Sequence, residues 1–170
     1  GCFHHLIADI DPTRLHDTLP GFHCCPDYLE KYDETREHPN GAARVGQPRE
    51  VKRLHDFIER RRNLARVLQD PLDAGELSLR PIHGDPKIDN IMIDDFTGYG
   101  IGIVDLDTVK PGLIHYDFGD ALRSVCNPAG EDETDLGEVV FDVDLCEAFV
   151  RGYMEQAGDF LTDGDRACLY

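Results

Sequence analysis

The sequence predicts a helix-rich α+β domain, and three observations support this fold class. Apolar residues recur at helical spacing after Pro48, a turn between two short apolar runs predicts a β-hairpin near residues 91–104, and residues 142–157 predict another amphipathic helix. Residues 1–47 are rich in His, Pro, Gly and Asp, which indicates loops with one short helix near residues 12–18. Helices combined with one small hairpin make an α-rich α+β domain.

The helix after Pro48 is expected to have one apolar stripe and one solvated side. Proline is accepted at the first helical position because its missing N–H would have no intrahelical partner there. The stripe consists of Val51, Leu54, Ile58, Ala65 and Leu68. The three arginines at residues 60–62 are assigned to the solvated side, and Pro71 and Gly75 are expected to end the helix.

The charge balance excludes some classes of partner. The chain has 170 residues with 17 Lys and Arg against 34 Asp and Glu, a formal charge of −17. Binding nucleic acid or an anionic membrane requires clustered cations, so neither partner is expected. The six cysteines have irregular spacing without a zinc pattern, which predicts reduced thiols and a cytoplasmic location.

The most informative stretch is His-Gly-Asp-Pro-Lys-Ile-Asp-Asn at residues 83–90. Asp105 follows Asn90 by fifteen residues, and the intervening hairpin is expected to bring it back beside Asn90. Asp85, Asn90 and Asp105 would then surround one point. Carboxylate and amide oxygens are suitable ligands for Mg²⁺, a hard cation that proteins usually share with substrate phosphates.

These residue types match the parts that phosphoryl transfer needs. A carboxylate must orient the attacking hydroxyl and accept its proton, and Asp85 fits this role. Asn90 and Asp105 fit the metal ligands on the nucleotide phosphates, while Lys87 fits the cation near the transferred group. The stretch therefore predicts an ATP-dependent phosphotransferase that uses Mg²⁺.

The same residues carry a resemblance to a known superfamily. His83, Asp85, Asn90 and Asp105 match the spacing of the protein-kinase catalytic loop and the metal-binding Asp that follows it. Leu106 and Asp107 replace the Phe-Gly of protein kinases. The chain therefore resembles the aminoglycoside phosphotransferase and choline kinase branch, which implies the C-terminal lobe of a protein-kinase-like fold and a small-molecule substrate.

Further stretches narrow this resemblance to one group. They are residues 15–23, 83–90, 104–112, 116–120 and 131–136. In this order they are similar to the N-acetylhexosamine 1-kinase group, which implies phosphorylation of the anomeric hydroxyl of an N-acetylhexosamine. An aminoglycoside or choline-type acceptor is the alternative within this class, and a non-catalytic kinase-like binding module is the alternative outside it.

The resemblance also assigns a role to each site residue. It makes Asp85 the catalytic base, with Lys87 beside it as a catalytic and nucleotide-binding cation. Asn90 and Asp105 would bind Mg²⁺ together with the ATP phosphates, and Asp107 would assist the metal. His83 would brace the catalytic loop, and Asp117 would be a buried acid at a helix start that accepts bonds from the loop backbone.

The kinase fold also has a small lobe, for which the sequence shows no signature. Neither a V-A-I-K-like strand nor a glycine-rich phosphate loop is present. Near the other end, Thr162 and Asp165 resemble a helix cap with only five residues after it. Residues 1–170 are therefore expected to be a single partial domain, a C-lobe fragment whose partner is the N-lobe of the same full-length protein.

Overall fold

The computed structural model describes residues 1–41 and 48–169, which form two compact units. The first unit consists of Gly1–Pro20 together with the chain from Ser78 onward, and the second consists of Gly21–Leu77. All the predicted site residues belong to the first unit. Part of the loop expected over residues 1–47 falls on residues 42–47, which lie outside the described residues.

Helices and very short strands alternate along the first unit. Its helices are α1 Cys2–Leu6, α5 Ile114–Val125, α6 Val143–Ala157 and α7 Asp163–Ala167. Its strands are β1 Arg80–Ile82, β2 Ile91–Ile93, β3 Gly100–Ile103 and β4 Lys110–Gly112. Single 3₁₀ turns occur at Pro12–Arg14, Ile88–Asn90 and Leu106–Thr108. The fold is therefore a helix-rich α+β fold, as predicted.

Two small antiparallel sheets flank the informative stretch. β2 pairs with β3, with Ile91 opposite Ile103, so the predicted hairpin is confirmed. β1 pairs with β4, with Ile82 opposite Lys110. This second pairing was not predicted, because it joins strands 28 residues apart through backbone bonds that leave no local sequence signal. Together the sheets hold residues 83–90 between two fixed strands.

A hydrophobic core lies beneath this loop. It is formed by Ile82, Ile114, Phe118, Tyr153, Ala157 and Leu161. These residues come from β1, α5, α6 and the segment after α6, so burying them joins the strand before the loop to the two long helices of the unit. The predicted helix over residues 142–157 is confirmed as α6, which Asp142 caps by accepting from two backbone N–H groups.

The second unit corrects two predictions, which are the single long helix after Pro48 and the loops over residues 1–47, where a 13-residue helix forms. Its helices are α2 Cys25–Glu37, α3 Arg49–Arg61 and α4 Gln69–Asp73, with a 3₁₀ segment at Arg62–Arg66. The single helix expected after Pro48 is thus interrupted at residue 62. Pro71 lies in the first turn of α4, where its missing N–H costs no helical bond, so it does not end a helix. Gly75, at a φ of 75°, follows the end of α4.

Arg62 is partly exposed, as expected for the solvated side, but it also pairs with acids of two helices. Its two terminal nitrogens lie 2.7 and 2.8 Å from the carboxylate oxygens of Asp33 on α2. One of them also lies 2.8 Å from Glu59. The arginine therefore joins α2 to the end of α3 by paired charged hydrogen bonds, an interaction that helical periodicity does not reveal.

The six cysteines are free thiols. None of the helices in the described ranges is both long and apolar enough to cross a bilayer. Thr162 and Asp165 form a reciprocal capping box at the start of α7. A cavity of about 490 Å³ lies in the second unit, and none of the predicted site residues lines it.

Candidate active site

Asp117 anchors the loop that carries the site. It lies in the first turn of α5 and its side chain is only 3% exposed. Its Oδ2 accepts from the backbone N–H of His83 at 2.7 Å, and its Oδ1 accepts from Gly84 N–H at 2.8 Å. Negative charge is favoured at a helix start. One carboxylate therefore fixes two consecutive amides of the loop.

His83 joins this loop to the end of the hairpin. Its Nε2 lies 3.0 Å from the carbonyl oxygen of Val104, and its Nδ1 lies 3.3 Å from Asp85 N. A carbonyl only accepts, so Nε2 carries the proton and Nδ1 accepts from the Asp85 amide. The ring is fully buried. His83 thus holds Asp85 against the segment that leads into Asp105.

Gly84 is required by the close packing of the loop on the Leu106–Thr108 turn. It has a φ of 91°, which residues with a side chain rarely adopt. A Cβ at this position would lie 2.6 Å from the carbonyl oxygen of Thr108. Thr108 also donates from Oγ1 to the carbonyl oxygen of His83 at 2.8 Å. The contact sets the distance between the two loops.

Asp85, Lys87 and Asn90 are in direct contact. The Asn90 Nδ2 donates to the Asp85 carbonyl oxygen at 2.8 Å and lies 3.4 Å from its Oδ2. Lys87 Nζ lies 3.3 Å from the same Oδ2. Because the carbonyl can only accept, the amide nitrogen of the buried Asn90 faces Asp85, which leaves its Oδ1 as the oxygen for a ligand.

Lys87 lies among several acids. The hydrogen bond and the charge of Asp85 raise the pKa of Lys87 above its usual value, and the charges of Glu131 and Asp105 act in the same direction. Lys87 therefore stays protonated throughout the neutral range. Asp85 is the main cause of this shift, and Glu131 and Asp105 add to it through their charge alone.

Asp105 begins the turn that follows the hairpin. The hairpin closes on Asn90, whose carbonyl oxygen accepts from Val104 N–H at 2.9 Å, so Asp105 follows directly on this contact. Asp105 has φ and ψ of 64° and 60°, the left-handed region that Asp enters more readily than most residues. Its side chain is exposed. Backbone of this kind is found at ligand-binding positions.

Asp107 lies in the same turn but is held through its backbone. Its carbonyl oxygen accepts from Thr18 Oγ1 at 3.3 Å, and its side chain is exposed. Among residues 1–41 and 48–169, no three His, Cys, Asp or Glu side chains are grouped as a metal site would require. The metal role of Asp107 therefore stays a prediction without a contact that supports it.

The donors that remain suit Mg²⁺ rather than a dedicated protein cage. They are the Asn90 amide oxygen and the exposed Asp105 carboxylate, both hard oxygen ligands. Mg²⁺ usually binds through one or two protein ligands and completes its shell with waters and substrate phosphates. The residues present thus fit a magnesium ion that arrives with a nucleotide.

Two further residues, which no sequence pattern indicates, support this loop. Ser124 on α5 accepts from Ile88 N–H through its Oγ at 3.1 Å. His4 on α1 places Nε2 2.7 Å from Asp117 Oδ2. His4 and Asp117 are 113 residues apart, and no spacing or periodicity in one sequence connects them.

Residues 8–168 match APH, the phosphotransferase enzyme family. The crystal structure of an aminoglycoside-3'-phosphotransferase of type VIII is similar over 97% of this chain and 54% of that chain, with 21% sequence identity and a TM-score of 0.46. The chain thus spans about half the length of that protein. Because the family match extends over nearly all of its residues, the chain belongs to the APH phosphotransferase family.

Proposed function

We propose that the protein transfers the γ-phosphate of ATP to a hydroxyl group of a small molecule. The observation that carries this proposal is the Asp85 carboxylate, which is 29% exposed and contacts both Lys87 and Asn90 on a loop anchored by Asp117. A carboxylate that is reachable by substrate, beside a cation and an oxygen ligand, supplies the parts of a phosphoryl-transfer site.

Each residue then has a separate task. Asp85 orients the acceptor hydroxyl and accepts its proton as the oxygen attacks the γ-phosphorus. Lys87, whose raised pKa keeps it charged, stabilises the negative charge of the transferred group. Asn90 and Asp105 would hold Mg²⁺, which when bound neutralises charge on the phosphates. His83 and Asp117 keep the loop in place and do not react.

We further propose an N-acetylhexosamine as the acceptor, phosphorylated at its anomeric hydroxyl. The support is the resemblance of residues 15–23 to the N-acetylhexosamine kinase group, together with where this segment lies. Lys110 is buried, and its Nζ donates to Leu19 O at 2.8 Å and lies 3.0 Å from Asp17. Residues 17–19 of this segment therefore contact the chain at residues 107–110, shortly after Asp105.

We also propose an assignment of the chain to one lobe of a kinase-like fold, and a location in the cell. The fold of the first unit supports assigning the chain to the C-terminal lobe of a kinase-like fold, with the N-lobe of the same protein covering the nucleotide. In a protein with this arrangement, ATP would be held between the lobes. The free cysteines agree with a reducing, cytoplasmic location.

The acceptor is tested with the natural full-length protein, ATP, Mg²⁺ and a panel of an N-acetylhexosamine, an aminoglycoside and choline. Phosphorus NMR of the product identifies which oxygen is phosphorylated. We expect a sugar 1-phosphate from the N-acetylhexosamine alone. Phosphorylation of the aminoglycoside or of choline in its place overturns the sugar assignment but retains the phosphotransferase. Binding of ATP without transfer to any of the three contradicts the enzyme and favours a binding module.

A further inference from the structure

A buried histidine from the start of the chain contacts the anchor of the catalytic loop. His4 lies on α1 and is only 6% exposed. Its Nε2 lies 2.7 Å from Asp117 Oδ2, and its Nδ1 lies 2.9 Å from the hydroxyl oxygen of Tyr153 on α6. The three side chains form a continuous hydrogen-bonded row inside the first unit.

The direction of these hydrogen bonds follows from the chemistry of the two ends. As a carboxylate, Asp117 can only accept, so His4 Nε2 carries the proton that faces it. Burial raises the pKa of Tyr153 far above its usual value, so the phenol keeps its proton over the whole neutral range. With the His4 proton on Nε2, the neutral ring has only a lone pair on Nδ1, so the Tyr153 hydroxyl donates to Nδ1.

Asp117 shares its Oδ2 between His4 and the loop. The oxygen accepts from His83 N–H at 2.7 Å and lies 2.7 Å from His4 Nε2, while Oδ1 accepts from Gly84 N–H. Three donors hold the buried carboxylate in the orientation that receives both loop amides. Without His4 only these two amides hold it, so its orientation is fixed less firmly.

We propose that His4 is a positioning residue for the catalytic loop, acting through Asp117 on the backbone of His83 and Gly84 and hence on the placement of Asp85. Its effect on turnover rests on the proposed phosphotransferase function, whereas its effect on the loop does not. His4 also packs against the rings of Tyr153 and Phe160. The experiment must therefore separate positioning from packing.

Two substitutions of the same residue make this separation. In His4→Gln the terminal amide nitrogen is as many bonds from Cβ as Nε2, so it still donates to Asp117. In His4→Asn the amide reaches only as far as Nδ1, so the contact with Asp117 is lost while a polar group remains near Tyr153. Tyr153→Phe is the third variant, which keeps the ring in the core and the His4–Asp117 contact.

The first measurement is amide hydrogen exchange at His83 and Gly84, which requires no substrate. We expect exchange in His4→Asn to be at least about tenfold faster at these two amides than in the wild type, beyond any change in global unfolding. His4→Gln and Tyr153→Phe should stay within about threefold of the wild type. Equal exchange in His4→Asn and His4→Gln overturns the proposal. If His4→Asn does not fold, fast exchange at Gly84 in His4→Gln at unchanged global stability overturns it as well.

The second measurement is steady-state transfer by the natural full-length protein. Misplacement of Asp85 should lower kcat by about tenfold in His4→Asn with little change in the KM for ATP, and His4→Gln should restore it. Unchanged kcat in a His4→Asn enzyme whose Gly84 amide exchanges fast contradicts the catalytic consequence. If the wild type transfers no phosphate at all, the proposed function fails, while hydrogen exchange still decides the role of His4 in the loop.

Discussion

The amide nitrogen of Asn90 donates to the carbonyl oxygen of Asp85, five positions earlier in the sequence, at 2.8 Å. This bond closes the loop on itself and directs the Asn90 Oδ1 away from Asp85. In the proposed site this Oδ1 is the oxygen that would bind Mg²⁺. Asn at position 90 has both a donor and an acceptor, whereas an Asp carboxylate there would have no proton to donate to the Asp85 carbonyl oxygen.

Substitution at the two acids of the 105–107 turn tests the metal assignment. Asp105→Asn should raise the Mg²⁺ concentration that supports half-maximal transfer by at least about tenfold, because a charged ligand is lost. Asp107→Asn makes the same chemical change two residues away. We expect a much smaller shift there, because Asp107 is held through its backbone carbonyl oxygen and its side chain is exposed. Mg²⁺ titration of transfer by the natural full-length variants measures both, and equal shifts contradict the assignment to Asp105.

Replacing Gly84 by alanine tests the packing of the catalytic loop. The added Cβ would meet Thr108 and also occupy a left-handed backbone, so we expect a loss of about 1–3 kcal/mol in the free energy of unfolding and a large loss of transfer. Gly98→Ala is the control. Gly98 has a φ of 71° in the hairpin turn and open space around it, so its variant shares the backbone strain without the clash.

Urea unfolding measures the stability of both variants, and a transfer assay on the full-length protein measures their activity. Transfer should fall in Gly84→Ala only. If Gly98→Ala lost activity to the same extent, the contact with Thr108 would not be the cause.

His115 gives the first unit a defined pH dependence. Burial lowers the pKa of His115 below its ordinary value of 6.5, and its Nε2 already donates to the carbonyl oxygen of Asp165 at 2.9 Å. Nδ1 is buried without a partner among the described residues, so protonation there places an unpaired charge inside the protein. The unfolded chain binds this proton more readily, so the stability that His115 contributes is present above pH 6.5 and is lost as the pH falls below it.

This contribution is measured by urea unfolding at about pH 7.5 and about pH 5.5. His115→Gln keeps a donor for the Asp165 carbonyl but does not titrate, so its stability should fall less than that of the wild type over this interval. A larger fall in the variant would show that His115 is not the group responsible. Both proteins have the same carboxylates, so the contribution of these groups to the pH dependence is the same in both and does not affect the difference.

Local signals explain which parts of the fold the sequence predicts. The hairpin is predictable because two apolar runs flank a Thr-Gly turn, and Asp94 closes that turn by accepting from Thr97 N–H at 2.7 Å. α6 is predictable from its apolar spacing. α2 is missed because none of its residues is buried and its apolar residues do not follow one stripe, so charged contacts such as the one between Asp33 and Arg62 stabilise it instead.

The residues of the site also fall into those that a local sequence signal predicts and those that it does not. Asp85, Lys87 and Asn90 lie within six residues, so their proximity follows from the loop that contains them. The contact of Asp117 with the loop spans 34 residues and was expected only from a resemblance. The contacts of His4 and Thr108 depend on the packing of separate elements, so no local sequence pattern predicts them. The residues that hold the loop in place are therefore harder to predict from the sequence than Asp85, Lys87 and Asn90.

Asp85 is proposed to perform the chemistry of a phosphotransferase, and substitutions at two acids of the same loop test this role. Transfer of the γ-phosphate of ATP is measured in the natural full-length protein as wild type, Asp85→Asn and Asp89→Asn. Asp89 is an exposed acid on the same loop, so its variant makes an identical change outside the reacting groups. We predict that Asp85→Asn lowers kcat by at least about a hundredfold at unchanged thermal stability, whereas Asp89→Asn stays near the wild type. Equal turnover in a folded Asp85→Asn enzyme would show that Asp85 is not the catalytic base.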